Sequence, residues 1–248
     1  MIRIREHAGL SDVGSVRENN EDRWFADPEA RLFLVADGLG GHAAGEVAAQ
    51  RVVEQLPRLL ASRRKALATR QESQVARTLG ATLRAVNSAI WREAQSDPAC
   101  RGMGTTVVFA LILADNAIVV SVGDCRVYLY RADSMHLLTH DHSLAQYLLD
   151  NQLVTADDPR LPFARRQLLQ HLGMATPPAP WMRKLTLASG DRLLLCSDGL
   201  TDMVTDEQIA RVLEREPRSG AACAELIDIA KLAGGRDNIT MVIVDFDE

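Results

Sequence analysis

The chain has 248 residues, 47% hydrophobic and 25% charged, enough apolar material for a sizeable core in a water-soluble protein. A formal net charge of -5 and only 4% aromatic residues argue against a nucleic-acid-binding surface or a platform for stacking single strands. No stretch approaches the roughly 18 consecutive apolar residues of a membrane span, and the amino terminus MIRIREHAGL has no apolar signal region, so a cytoplasmic protein without a membrane segment is expected. Cys100, Cys125, Cys196 and Cys223 are widely spaced with no CxxC pair, which speaks against a disulfide framework or structural zinc.

In chain order, Ile2 to Leu10 alternates enough for an edge or early strand, Ser11 to Asp22 is polar and turn-rich, and Trp24-Phe25 begin the next strand. Leu32 to Ala36 is a short apolar run of strand length that ends in Asp37-Gly38 and a glycine-rich loop. A helix follows from about Ala43 to Leu60. A second carries Val75, Leu79, Leu83, Val86 and Ile90 as one apolar stripe. Between the two, Arg63, Arg64, Lys65 and Arg70 read as a solvated basic face or loop. Strands are expected at Thr105–Ala114, Ala117–Val122, Arg126–Tyr130 and Met135–Leu138, antiparallel because their connections are too short for a crossover. Helical segments at Ser143–Asn151 and Arg165–Leu172 come next, then the extended connector TPPAP. Strands at Trp181–Leu187 and Arg192–Cys196, helices at about Asp206–Arg215 and Gly220–Leu232, and a strand at Ile239–Phe246 complete the chain. Strands grouped together and helices grouped elsewhere give an α+β fold with helices covering antiparallel sheets.

An isolated Asp-Gly is ordinarily a turn, but this one recurs: RLLLCSDGL is another apolar strand running into Asp198-Gly199. Asp22 before Trp24, Asp124 between two strands and Asp237 before Ile239 occupy the same kind of position; Asp37, Asp198 and Asp237 adjoin the most apolar strands, so the ends of those three are expected to converge at one edge of the sheets. Anions gathered away from bulk water must be protonated or neutralised by cations. An all-oxygen donor set favours Mg²⁺ or Mn²⁺ over zinc or copper, and two such ions activate water and clamp a phosphoryl group.

RENNED (Arg17–Asp22), DGLGGHAAGE (Asp37–Glu46), GMGTT (Gly102–Thr106), GDCR (Gly123–Arg126), SDGL (Ser197–Leu200) and GGRDNIT (Gly234–Thr240) occur in the order found in bacterial metal-dependent Ser/Thr protein phosphatases, and the chain resembles this PPM, or type-2C, family from about Gly9 to Asp245. The resemblance implies a four-layer α-β-β-α sandwich with two central antiparallel sheets. It also implies that the whole chain, 1–248, is one phosphatase catalytic domain with a variable flap at about 140–180. Asp37 resembles the carboxylate bridging two metals, with the Gly38 carbonyl on one of them, and Asp198 and Asp237 resemble ligands of the other. Glu21 and Asp22 are similar to the acids holding metal-bound waters, Asn238 to a residue supporting them, and Asp124, with Asp198, to a third-metal position. Arg17 resembles the residue gripping the substrate phosphate, where a planar guanidinium binds two oxygens at once. Thr106, or else Thr105, is similar to the active-site threonine. His42 stands either as an acid for the leaving alkoxide or as a loop-structuring residue.

Two or three Mg²⁺ or Mn²⁺ ions are thereby implied. So are phosphoserine and phosphothreonine in protein substrates, in-line attack by a metal-activated water without a phosphoenzyme, a cognate bacterial Ser/Thr kinase as the opposing partner, and a monomer. GDCR carries Cys125 where the family usually has serine, and GMATPPAPW departs from the usual flap pattern. Competing readings are weaker. Gly38, Gly40 and Ala43 also fit the dinucleotide pattern GxGxxA, but Asp37 would put negative charge beside the pyrophosphate. GMGTT lacks a P-loop lysine, and His140 and His142 lack further clustered histidines for a metal site.

Overall fold

The structure, a computed structural model, describes residues 1–40, 43–63, 67 and 71–248. Two antiparallel sheets of five strands each lie at its centre. The first runs in the order β1 (Arg3–Asp12), β12 (Ile239–Asp247), β11 (Arg192–Cys196), β8 (Arg126–Arg131), β9 (Ser134–Leu137). The second runs β10 (Trp181–Thr186), β7 (Asn116–Val122), β6 (Val107–Leu113), β3 (Leu32–Ala36), β2 (Arg23–Asp27). A two-stranded ribbon pairs β4 (Gly38–Leu39) with β5 (Gly104–Thr105).

Side chains on successive strand residues point to opposite faces, and three apolar layers sort themselves by that alternation. Phe33, Val35, Val108, Ala110, Val127, Leu193, Leu195, Val242 and Val244 fill the space between the sheets. Leu32, Leu34, Phe109, Leu111 and Val120 face outward onto α1 (Ala43–Ala61) and α2 (Glu72–Ser96). Tyr128, Leu194, Cys196, Met241 and Ile243 face the other way, onto α6 (Asp206–Arg215) and α7 (Ser219–Leu232). The result is the four-layer α-β-β-α sandwich. A strand covered on both faces has no polar alternation, which is why β3 and β11 are buried along their whole length and read as apolar runs. Helix α6 starts on a capping box in which Thr205 and Gln208 bond reciprocally, so its first residue is legible in the sequence.

Three boundaries differ from the sequence expectation. The helix anticipated at Arg165–Leu172 lies earlier, as α4 (Leu161–Arg165), started by Pro162 in its first turn. The backbone of 167–172 instead bonds across to other segments: Leu144 N–H donates to the Gln167 carbonyl, Leu169 N–H to His142, and Leu172 N–H to Thr105. The expected strand Thr105–Ala114 breaks at Thr106, whose N–H leaves the sheet for the Asp37 carbonyl at 2.8 Å. A single helical turn, α5 (Asp198–Thr201), follows β11 directly. The segment between β9 and β10 has its own small core of Ala145, Leu161 and Ala164, joining α3 (Leu144–Asp150) to α4. Arg63 donates to Thr82 Oγ1 at 2.6 Å, while Arg64, Lys65 and Arg70 lie outside the described residues.

Candidate metal centre

The two sheets end together where five aspartates meet. Asp37 follows β3, Asp198 follows β11 as the first residue of α5, Asp237 precedes β12, Asp22 precedes β2, and Asp124 sits in the turn between β7 and β8. Burial pushes the Asp37 carboxyl well above the ordinary range, and the charges of Asp22, Asp198, Asp124 and Asp237 push it further. Burial does the same to Asp198, reinforced by Asp124, Asp202, Asp237 and Asp22. Side chains from five distant parts of the chain therefore act on one another across a single site.

Asp22 is buried. Its Oδ2 accepts from Ser197 Oγ at 2.8 Å, while its Oδ1 has no hydrogen-bond partner. Burial raises its carboxyl to about 6, partly offset by the Ser197 hydroxyl and reinforced by Asp237. Asp124 is raised to about 7, first by burial and then by the charge of Asp141. These folded values exceed the ordinary carboxylate value of about 4, so the folded chain binds more protons than the unfolded one over that interval. Stability then falls as pH rises. Thermal unfolding of the chain in chelator is accordingly expected to show a melting temperature that drops between pH 5 and pH 8, and Mn²⁺ is expected to flatten that slope. A pH-independent melting temperature in chelator would contradict the convergence of charges.

The loop 13–22 is fastened to this site by Asn238. The Asn238 amide donates to the Val13 and Asn19 carbonyls at 2.9 Å each, and its Oδ1 accepts from Glu21 N–H at 2.8 Å. That loop delivers Arg17, whose Nη2 donates to Asp237 Oδ2 at 2.7 Å. The hydrogen bond and charge of Asp237, with Glu21 and Asp37 behind it, hold the guanidinium further up. Gly38 sits against the backbone of Gly45 and Glu21: a Cβ there would come within 2.8 Å of the Glu21 carbonyl and closer still to Gly45. Gly38→Ala is therefore expected to cost about 1–3 kcal/mol by overpacking, read as a lowered melting temperature, because neither backbone yields without moving the loop or α1.

The hydroxyls of the two threonines point differently. Thr105 Oγ1 donates to the Asp37 carbonyl at 2.8 Å, while Thr106 Oγ1 lies 3.0 Å from Cys125 Sγ. Thr105 thus touches the Asp37 backbone through its side chain, and Thr106 does so only through its N–H. The Cys125 thiol is buried, and burial together with the Asp37 and Asp124 charges pushes it well up, so it stays a protonated packing group. His140 Nε2 bonds Asp150 Oδ2 at 2.7 Å and His142 Nδ1 accepts from Gly123 N–H at 3.3 Å, so both rings are already engaged. His42 lies outside the described residues.

A cleft of ≈ 350 Å³ opens over the site, and Arg17, Asp37, Asp124, Asp198 and Asp237 all line it. Asp202, Arg166 and Arg236 share its walls and were not singled out from the sequence. Asp202 follows SDGL by two residues on the turn of α5, so the helical rise that carries it back to Asp198 is its only sequence signal. The donor set is all oxygen and anionic, with one buried carboxylate oxygen unpartnered, which fits hard divalent cations. Among the described residues no three His, Cys, Asp or Glu side chains are gathered tightly enough to hold an ion unaided.

The Mycobacterium tuberculosis serine/threonine protein phosphatase PstP is 37% identical over 243 residues, covering 98% of this chain but 45% of its own length, so the chain spans about half of that relative. The Listeria innocua serine/threonine phosphatase stp is 35% identical over 241 residues, covering 95% of this chain and 93% of that protein. The catalytic domain of PstP, solved in complex with two manganese ions, superposes with a TM-score of 0.85 at 35% identity, covering 100% of both chains. The protein phosphatase 2C family matches residues 14–225, and the chain belongs to that family.

Proposed function

We propose that this chain is a metal-dependent protein phosphatase acting on phosphoserine and phosphothreonine. The observation that carries the reading is the meeting of Asp22, Asp37, Asp124, Asp198 and Asp237 with Arg17 around one cleft. The relatives support it: their names are those of serine/threonine phosphatases, and one was solved with two manganese ions.

In this reading Asp37, with the Gly38 carbonyl, Asp198 and Asp237 hold two Mg²⁺ or Mn²⁺ ions. Asp124 and Asp198 would hold a third, and Glu21 and Asp22 would orient waters. When bound, the ions supply Lewis acidity and lower the pKa of water to the neutral range. The chain's own part is positional. Asn238 holds the 13–22 loop so that Arg17 stands at the mouth of the cleft, where its fork accommodates two phosphate oxygens. The threonine pair fixes the Asp37 carbonyl, so the carboxylate keeps its angle at the strand end. Attack is in line and leaves no phosphoenzyme. His42 or water protonates the leaving oxygen. Residues 1–248 serve as one monomeric cytoplasmic catalytic domain, with the flap at 140–180 beside the cleft and a bacterial Ser/Thr kinase as the opposing partner. No described helix is long and apolar enough to cross a membrane.

Phosphate release from phosphothreonine peptides is expected in Mn²⁺ and is expected to vanish in chelator. Turnover of small phosphate esters alone, with none on peptides, would mark a small-molecule phosphomonoesterase instead.

A further inference from the structure

Three cleft and flap arginines are already engaged: Arg17 with Asp237, Arg126 with Asp141 and Arg160 with Asp158. Three are not. Arg165 and Arg166 leave the end of α4, Arg236 precedes Asp237, and all three are exposed with no side-chain ion pair among the described residues. They line one trough. The cleft over the carboxylates and a second one beside it share Asp124, Asp198, Asp202, Arg166 and Arg236, with Arg17 at one end and Arg165 at the other. A substrate whose phosphate lies at the Arg17 and Asp37 end therefore runs its neighbouring residues past Arg236, Arg166 and Arg165.

Free guanidinium forks at the rim of a groove are built for carboxylates and phosphates. The chain as a whole is acidic, at -5, and would repel anionic segments at long range, so a local basic rim supplies complementarity that the rest of the surface does not. We propose that this trough selects phosphoprotein segments bearing a second anion close to the phosphoresidue, either an acidic side chain or another phosphate, with Arg236, Arg166 and Arg165 as the specificity-determining contacts. This rests on the phosphatase reading and names its substrate class.

The test uses the full chain with Mn²⁺ and three phosphothreonine peptides that differ only in neighbouring residues: Gln, Glu, or a second phosphothreonine. p-Nitrophenyl phosphate serves as a substrate with no neighbours. The wild type is expected to favour the Glu and doubly phosphorylated peptides over the Gln peptide by about tenfold in kcat/KM, as several exposed charge pairs each add a small factor. The Arg165→Ala/Arg236→Ala double variant is expected to lose most of that preference, read as the ratio of kcat/KM on the anionic peptides to that on the Gln peptide. Arg236→Glu is expected to reverse it. A preference shared by both anionic peptides marks charge recognition, and one confined to the doubly phosphorylated peptide marks phosphate recognition; either supports the proposal. Equal rates on all three wild-type reactions, or an equal loss on every substrate in the double variant, would overturn it. Failure of the wild type on p-nitrophenyl phosphate would strike the phosphatase reading instead. In that event fluorescence anisotropy of the same peptides still decides: acid-selective binding lost in the double variant upholds the trough, and unselective binding refutes it.

Discussion

Asp37→Asn is expected to abolish metal-dependent phosphate release while the chain stays folded. Residues that merely orient metal ligands are worth about 10- to 100-fold, so losing the central carboxylate is expected to lower kcat by more than about 10²-fold. The stability readout runs the other way. Asp37 is held well above the ordinary carboxylate range by burial and by four neighbouring carboxylates, so replacing it by a neutral isostere removes repulsion from the metal-free site. In chelator the variant is expected to melt at or above the wild-type temperature. In Mn²⁺ it is expected to lose the stabilisation that binding to the native state confers on the wild type. Turnover close to wild type, or a large drop in melting temperature in chelator, would contradict the assignment.

Asn238→Ala carries the second large effect and acts through the 13–22 loop rather than by removing a carboxylate. The Asn238 side chain is buried and makes three hydrogen bonds, to Val13, Asn19 and Glu21. Truncation leaves two carbonyls and one N–H without their partner, each costing about 1–3 kcal/mol where water does not reach it. The loop they tether carries Arg17, Glu21 and Asp22, so kcat and apparent Mn²⁺ affinity are expected to fall by about 10- to 100-fold together with the melting temperature. Kinetics titrated with Mn²⁺, beside thermal unfolding, check this. A variant that melts early but keeps wild-type metal affinity and kcat would reduce Asn238 to a packing role.

The parts of this site legible in the sequence are those written into local pattern. Strands β3 and β11 are buried on both faces, so each reads as an unbroken apolar run whose end is marked by Asp-Gly. The stripe Val75, Leu79, Leu83, Val86, Ile90 faces the sheet as one helix side. What was not legible depends on pairing between distant segments. The β4–β5 ribbon is two residues per strand and has no period to detect. Residues 167–172 are pulled from helix into bridges by Leu144, His142 and Thr105. Which threonine hydroxyl meets Asp37 follows from where the ribbon ends and β6 begins, and adjacent identical residues carry no signal of that. Arg166, Arg236 and Asp202 sit at the cleft because loops from three regions close over one sheet end, an outcome that only the assembled topology specifies.

Anomalous scattering from crystals of the chain grown with Mn²⁺ locates the ions relative to the converging aspartates. Two strong peaks within coordination distance of Asp37, Asp198 and Asp237, under the loop that Asn238 fastens, are the predicted result. Manganese found elsewhere, or no ordered ion beside these aspartates at saturating Mn²⁺, would contradict it.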